Sequence, residues 1–225
     1  LIAALSRLTG IDADEAVDID AGTLLEVDDL IQIVSADGGI ELSGEQIELG
    51  TDAGVLATNA GSGGLINFTA TGTDGSGVGI FGRGIVNSDG GSILMNGHGG
   101  LMSGNGLFFR DIAIGSDDTL GITINGTGRG TGDADGIAVY NSSLTAQNAI
   151  VLSGDALDGG EGVDFVAISA SPFLPSFVTG GSVTISGTAE AADAIRFRNT
   201  FVVAETGAII LEGSASDPVF GDAVD

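Results

Sequence analysis

Acidic side chains lie close together in several short, glycine-rich segments of this chain. Asp133 and Asp135 flank a single alanine, and Asp117 and Asp118 are adjacent. Calcium binds several hard oxygen ligands at once, which such turns can supply together with backbone carbonyls. These four aspartates are therefore the candidate metal ligands, although neither a calcium-binding nonapeptide repeat nor an EF-hand loop is present. The alternative is that the carboxylates are solvated and only stabilise tight turns.

Asp164 and Arg196 are the charged pair that a catalytic reaction would need. They occupy matching positions of neighbouring repeats, which lie within reach of each other when repeats stack. Glycoside hydrolysis needs two carboxylates roughly 5 to 10 Å apart. We expect instead an exposed ion pair between neighbouring repeats, which contributes little to stability. The sequence thus predicts a protein that is not an enzyme, with a carbohydrate-active enzyme as an alternative.

Phe173 and Leu174 are the candidate binding residues. They lie between Pro172 and Pro175, in a segment that we expect to form a loop, because proline cannot donate a hydrogen bond within a sheet. Exposed apolar side chains at a loop tip are typical of binding surfaces. The alternative is that both side chains fold back over the body of the protein.

A repeated five-residue phrase, apolar-x-apolar-x-small, must position all of these residues. Its eight copies begin at intervals of 23, 26, 27, 29, 28, 33 and 26 residues. Side chains alternate along a strand, so the first and third residues of each phrase share one face. Self-similarity at this period indicates a solenoid, whose units bury their apolar faces by stacking. The phrases are residues 17–21, 40–44, 66–70, 93–97, 122–126, 150–154, 183–187 and 209–213.

Most repeats contain two further short apolar runs, separated by turns rich in Gly, Asp, Ser and Asn. Three short strands per repeat, without a helical pattern, predict an all-β protein: a single-stranded parallel β-helix with about eight coils along residues 17–225. Residues 1–16 start the solenoid or belong to a preceding coil. The first and third phrase residues should form aliphatic ladders inside it, with the small fifth residue at a corner. The last coil is incomplete, so we expect a segment of a longer protein.

The net charge of −25 limits the partners of this protein. It arises from 31 acidic residues against six arginines, without lysine. Such a surface repels phosphate backbones and anionic lipid headgroups, so we expect neither nucleic-acid binding nor membrane attachment. No segment reaches the roughly 18 consecutive apolar residues of a membrane span. The absence of cysteine excludes disulfides and thiolate metal sites.

The repeats resemble those of the filamentous-haemagglutinin-like secreted bacterial adhesins, the two-partner secretion exoproteins. The phrases that carry this resemblance are Gly-Ile-Thr-Ile-Asn-Gly-Thr-Gly at 121–128 and Gly-Ser-Val-Thr-Ile-Ser-Gly-Thr at 181–188. The resemblance implies a right-handed β-helix, a secreted or bacterial cell-surface location, and a structural or adhesive function. Its partners would be a host-cell, glycan or matrix surface, or further copies of the chain. A self-assembling extracellular filament subunit and a tail-spike-like depolymerase are the alternatives.

Overall fold

The computed structural model describes residues 6–7, 10–58, 64–72, 77–130, 132–166, 175–216 and 224, so Phe173 and Leu174 lie outside the described residues. These residues form one sheet of twenty strands. Within the same ranges there is no helix, and so none that is long and apolar enough to cross a membrane. The strands are β1 (Ser6–Arg7), β2 (Ile11–Ala13), β3 (Val17–Asp20), β4 (Leu24–Val27), β5 (Gln32–Ser35), β6 (Ile40–Gly44), β7 (Gln46–Ala57), β8 (Ile66–Ala70), β9 (Ile80–Ser88), β10 (Ser92–His98), β11 (Ser103–Gly104), β12 (Leu107–Gly115), β13 (Gly121–Gly130), β14 (Ile137–Tyr140), β15 (Ser143–Ala156), β16 (Val163–Val166), β17 (Ser176–Ala189), β18 (Ile195–Phe197), β19 (Thr200–Ala204) and β20 (Ile209–Ala215).

The strands pair in parallel with strands one coil away, which confirms the predicted parallel β-helix. The exception is β11, which pairs antiparallel with β13. All eight five-residue phrases lie in one column of paired strands. The first residues of the phrases are in register from coil to coil: Val17, Ile40, Ile66, Ile93, Ile122, Ile150, Val183 and Ile209.

The predicted aliphatic ladders form the core of the solenoid. The first and third phrase residues are buried in every coil from β3 to β17. In β20 the prediction is wrong, because Ile209 and Leu211 are 46% and 41% exposed. Among the described strands β20 pairs only with β17, so none of them covers its other edge.

In β7, β9 and β12 the second and third strands of a coil are joined into one bent strand rather than separated by a turn. In β12 the register shifts between Phe109 and Ile112, where Asp111 has a φ of +55°. Asn141 and Asn199 adopt the same left-handed conformation in later coils, with φ values of +47° and +50°. Short Asp and Asn side chains tolerate this conformation better than most residues. A left-handed Asp or Asn therefore marks the bend in several coils.

The small fifth residue of the phrase was expected at a corner, and in several coils this prediction is wrong. In β13, β15 and β17 the strand continues beyond the fifth residue. The residue is small because the turn on the opposite side of the coil packs against it. A Cβ atom on Gly154 would overlap the carbonyl group of Gly162, and one on Gly126 would overlap that of Gly136.

Replacing Gly154 by alanine is expected to lower the free energy of unfolding by about 1–3 kcal/mol, because the added methyl group forces the two sides of the coil apart. Gly121→Ala is the matched control, since its nearest atom would be the Ala149 carbonyl oxygen at 3.3 Å. Chemical denaturation followed by circular dichroism measures both losses. Equal losses would contradict the proposed contact.

Candidate functional site

An open cleft of about 740 Å³ lies against the strand column that contains β14, β16 and β18. Tyr140 ends β14, Asp164 lies in β16, and Arg196 lies in β18. Asp164 and Arg196 are direct partners in the parallel pairing of their strands. The turns that precede β14 and β16 add Asp135 and Glu161 to the lining. Successive coils therefore contribute one or two polar side chains each to a single cleft.

Arg196 connects two carboxylates in the floor of the cleft. Its Nε and one terminal nitrogen donate to the two oxygens of Asp164 at 2.8 and 2.7 Å. Its other terminal nitrogen forms an ion pair with Glu161. Asp164 is fully buried, so the prediction of an exposed ion pair is wrong. Burial raises the pKa of the Asp164 carboxyl, and the hydrogen bonds from Arg196 oppose that rise.

Asp135 is a buried carboxyl group whose pKa is raised above its ordinary value. Burial, followed by a hydrogen bond with the Glu161 side chain, raises its pKa to about 9. The backbone N–H of Glu161 donates to Asp135 Oδ1 at 2.9 Å. Asn105 holds the same residue from the neighbouring coil, because it accepts from the Asp135 N–H at 3.1 Å and donates to Oδ2 at 3.4 Å. Hydrogen bonds from Glu161 and Asn105 thus fix the Asp135 carboxyl group in the cleft.

Aromatic side chains flank the carboxyl groups. The rings of Phe81, Phe108 and Tyr140 stack along three successive coils, with centroids 5.6 and 5.0 Å apart. Phe108 and Tyr140 line the cleft itself. Burial, followed by the charge of Asp164, raises the pKa of Tyr140 to about 12. Its hydroxyl group therefore stays protonated and available as a donor.

The raised pKa of Asp135 makes stability depend on pH in a defined direction. The folded protein binds the proton up to about pH 9, whereas the unfolded chain releases it near pH 3.8. The contribution of Asp135 to the free energy of unfolding is complete below pH 3.8. It falls by up to about 1.4 kcal/mol per pH unit as the pH rises toward 9. Asp135→Asn removes this titration and keeps the hydrogen-bonding groups.

We expect the wild type to lose more unfolding free energy than Asp135→Asn between pH 5 and pH 8. Urea denaturation at several pH values measures the difference in unfolding free energy between the two proteins. The other carboxyl groups titrate in both proteins, so their effect largely cancels in this difference. Parallel profiles for the two proteins would show that Asp135 has no raised pKa.

The structure separates the four aspartates predicted as calcium ligands. Asp135 is buried in the cleft and Asp133 is exposed at its rim. Asp117 and Asp118 are exposed in the turn after β12, where the Ser116 hydroxyl accepts from the Asp118 N–H. The structure instead groups Asp135 with two other acidic residues, Glu161 and Asp164, and one carboxylate oxygen from each lies within 4.8 Å of the others.

The sequence contains a pattern that places Glu161 at the same position of its coil as Asp135. An acidic residue, a small residue and an aliphatic residue follow each other at 135–137, 161–163 and 193–195. The aliphatic members Ile137, Val163 and Ile195 are in register in β14, β16 and β18. The preceding acidic residues therefore recur at one position of successive coils, which would have placed Asp135 beside Glu161.

Arg196 already pairs with two of these three carboxyl groups. It uses both oxygens of Asp164 and one of Glu161. Both oxygens of Asp135 already accept hydrogen bonds from nitrogen. Calcium requires six to eight oxygen ligands, so it would have to displace the guanidinium group. Calcium binding by this protein stays a prediction.

No family model, curated protein or solved structure matches this chain.

Proposed function

We propose that this chain is an adhesive segment of a secreted or cell-surface bacterial β-helical protein, and that its cleft binds a glycan. The observation that carries the proposal is the cleft of about 740 Å³, in which hydrogen-bonding side chains from successive coils surround one space. The resemblance of the repeats to filamentous-haemagglutinin-like adhesins supports the adhesive role and the extracellular location.

The chemistry of the lining suits a polyhydroxylated ligand. Sugar hydroxyl groups both donate and accept hydrogen bonds, and the cleft offers both kinds of partner. Tyr140 and Asn105 can donate, while Glu161 and the exposed Asp133 carry acceptor oxygens. The ion pair with Arg196 holds Glu161 in place before a ligand binds, which lowers the entropy lost on binding.

Binding to immobilised polysaccharides by biolayer interferometry tests this proposal. Tyr140→Phe removes one hydroxyl group from the cleft and keeps the stacked ring, so we expect about three- to tenfold weaker binding. Thr123→Val is the matched control, because it removes a hydroxyl group from the polar outer face of β13. Binding to none of the polysaccharides, or weakening by Thr123→Val alone, would contradict the proposal.

Hydrolysis of a glycosidic bond is a second candidate function, although the sequence predicts no catalysis. The observation that favours it is a carboxyl group with a raised pKa, Asp135, within 4.8 Å of two other carboxyl groups. Asp135 would give its proton to the glycosidic oxygen as the bond to the anomeric carbon breaks. The short separation suits the retaining mechanism, in which a neighbouring carboxylate bonds to the anomeric carbon as the leaving group departs. Asp135, now deprotonated, would then take a proton from the water whose oxygen replaces that carboxylate.

The release of reducing ends from a bound polysaccharide tests the second candidate. Asp135→Asn should abolish the release and preserve binding, because asparagine has the same shape but no acidic proton. If the wild type binds a polysaccharide and releases no reducing ends, hydrolysis is excluded and the binding function stands.

A further inference from the structure

We propose that the glycan is anionic and that Arg198 binds one of its carboxylate groups; this inference rests on the glycan-binding function proposed above. Arg196 and Arg198 both line the cleft, but their guanidinium groups have different surroundings. Arg196 is engaged by Asp164 and Glu161. No hydrogen bond or salt bridge joins the Arg198 guanidinium to any other described side chain.

The backbone around Arg198 is fixed, although its side chain is not paired. Its N–H donates to the Phe165 carbonyl at 2.8 Å, and its own carbonyl accepts from the Thr200 hydroxyl at 3.2 Å. These two bonds hold the residue at the end of β18, with its side chain in the cleft lining. The anchored backbone fixes the point from which the exposed Arg198 side chain reaches the cleft.

An unpaired arginine facing a cleft is informative in a chain with 31 acidic residues and six basic ones. Two other arginines have contacts elsewhere: Arg110 lies 3.5 Å from Asp111, and Arg83 lies 5.4 Å from the centre of the Phe81 ring. Burial raises the pKa of Asp164 and the charge of Arg198 opposes that rise, but no carboxylate forms a direct ion pair with Arg198 within the described residues. A carboxylate on the ligand supplies the opposite charge and matches the planar guanidinium group with two parallel hydrogen bonds.

The rest of the lining is compatible with an anion near Arg198. Arg196 offsets charge on the carboxylates that it contacts, and the raised pKa of Asp135 favours its neutral form. The lining has two arginines against the four carboxyl groups of Asp133, Asp135, Glu161 and Asp164, whereas the whole chain has six basic residues against 31 acidic ones. A ligand carboxylate at Arg198 would meet a local positive group, whereas most of the remaining surface would repel it.

Matched pairs of polysaccharides test this inference. We would measure binding of polygalacturonate, alginate and hyaluronate, and of the carboxyl-reduced form of each, with dextran sulfate as a sulfated comparison. The variants are Arg198→Gln and the control Arg83→Gln, which removes the same charge outside the cleft lining. We expect at least one polyuronate to bind about 10- to 100-fold more tightly than its reduced form. Arg198→Gln should remove that preference and leave binding of the reduced form unchanged, and Arg83→Gln should alter neither.

Each result distinguishes this inference from the function on which it rests. Equal binding of the polyuronates and their reduced forms would overturn the role of Arg198 and leave glycan binding intact. If the protein binds dextran sulfate preferentially and this preference depends on Arg198, the ligand group at Arg198 is a sulfate ester and not a carboxylate. An equal loss with Arg83→Gln would mean that overall charge, rather than this residue, determines binding. If neither form of any pair binds, the glycan-binding function fails together with the inference.

Discussion

Replacing Arg196 by methionine is expected to lower the free energy of unfolding by about 3–5 kcal/mol. The side chain of Asp164 is 1% exposed and that of Glu161 is 10% exposed, and both are ion-paired with this guanidinium group. Methionine fills part of the space but leaves two carboxyl groups without their cation. Chemical denaturation at pH 7, followed by circular dichroism, measures the loss.

Arg110→Met is the matched control for this substitution. Arg110 also pairs with a neighbouring carboxylate, Asp111, at 3.5 Å, but the two side chains are 41% and 53% exposed. Removing an exposed pair changes stability by about 0–1 kcal/mol. Asp164→Asn combined with Arg196→Met should recover part of the large loss, because one uncompensated charge is then absent. Similar losses for the two single variants would contradict the buried network.

Replacing Phe165 by alanine is expected to lower the free energy of unfolding by about 3–5 kcal/mol. Phe165 is fully buried in β16, next to Asp164 in the chain. Its ring stacks on that of Phe197 in the next coil, with centroids 5.3 Å apart and planes at 11°. The truncation leaves a cavity directly behind the cleft, because both paired strands carry cleft residues.

Phe177→Ala separates burial from ring stacking. Phe177 stacks on Phe201 with nearly the same geometry, at 5.4 Å and 13°. These two rings are 45% and 54% exposed, so truncation should lower the free energy of unfolding by only about 1 kcal/mol. Thermal and urea denaturation of both variants measures the difference. Equal losses would show that stacking, rather than burial, is the stabilising contact of the aromatic pairs.

The sequence was sufficient to predict the solenoid and the register of its first strand column. In each phrase, strand geometry alone sends the first and third residues inward, and the intervals between phrases define the coil. The bend at Asp111 and Asn141 could not be predicted, because a left-handed residue looks like any turn residue in the sequence. The position of the fifth residue was also wrong in part, since Gly154 is small because of a contact with Gly162 across the coil.

The candidate site was predicted less completely than the fold. The stacking of repeats correctly predicted that Asp164 lies beside Arg196. It did not predict that the pair is buried, because burial depends on the turns that close over it. Asp135 was identified as an acidic turn residue, whereas its raised pKa results from burial and from the Glu161 side chain. These properties arise from contacts between turns of different coils, and the intervals of 23 to 33 residues do not specify how such turns fold.

Hydrogen exchange with and without a bound polysaccharide tests most directly whether the cleft is the ligand site. The polysaccharide would be the one that binds most tightly in the panel above. We predict that added protection is concentrated in residues 132–136 and 157–162, the turns that precede β14 and β16. Residues 94–96 and 123–125, on the column of phrase strands, should exchange at the same rate in both states. Protection confined to those phrase strands, with none in the two turns, would contradict the account.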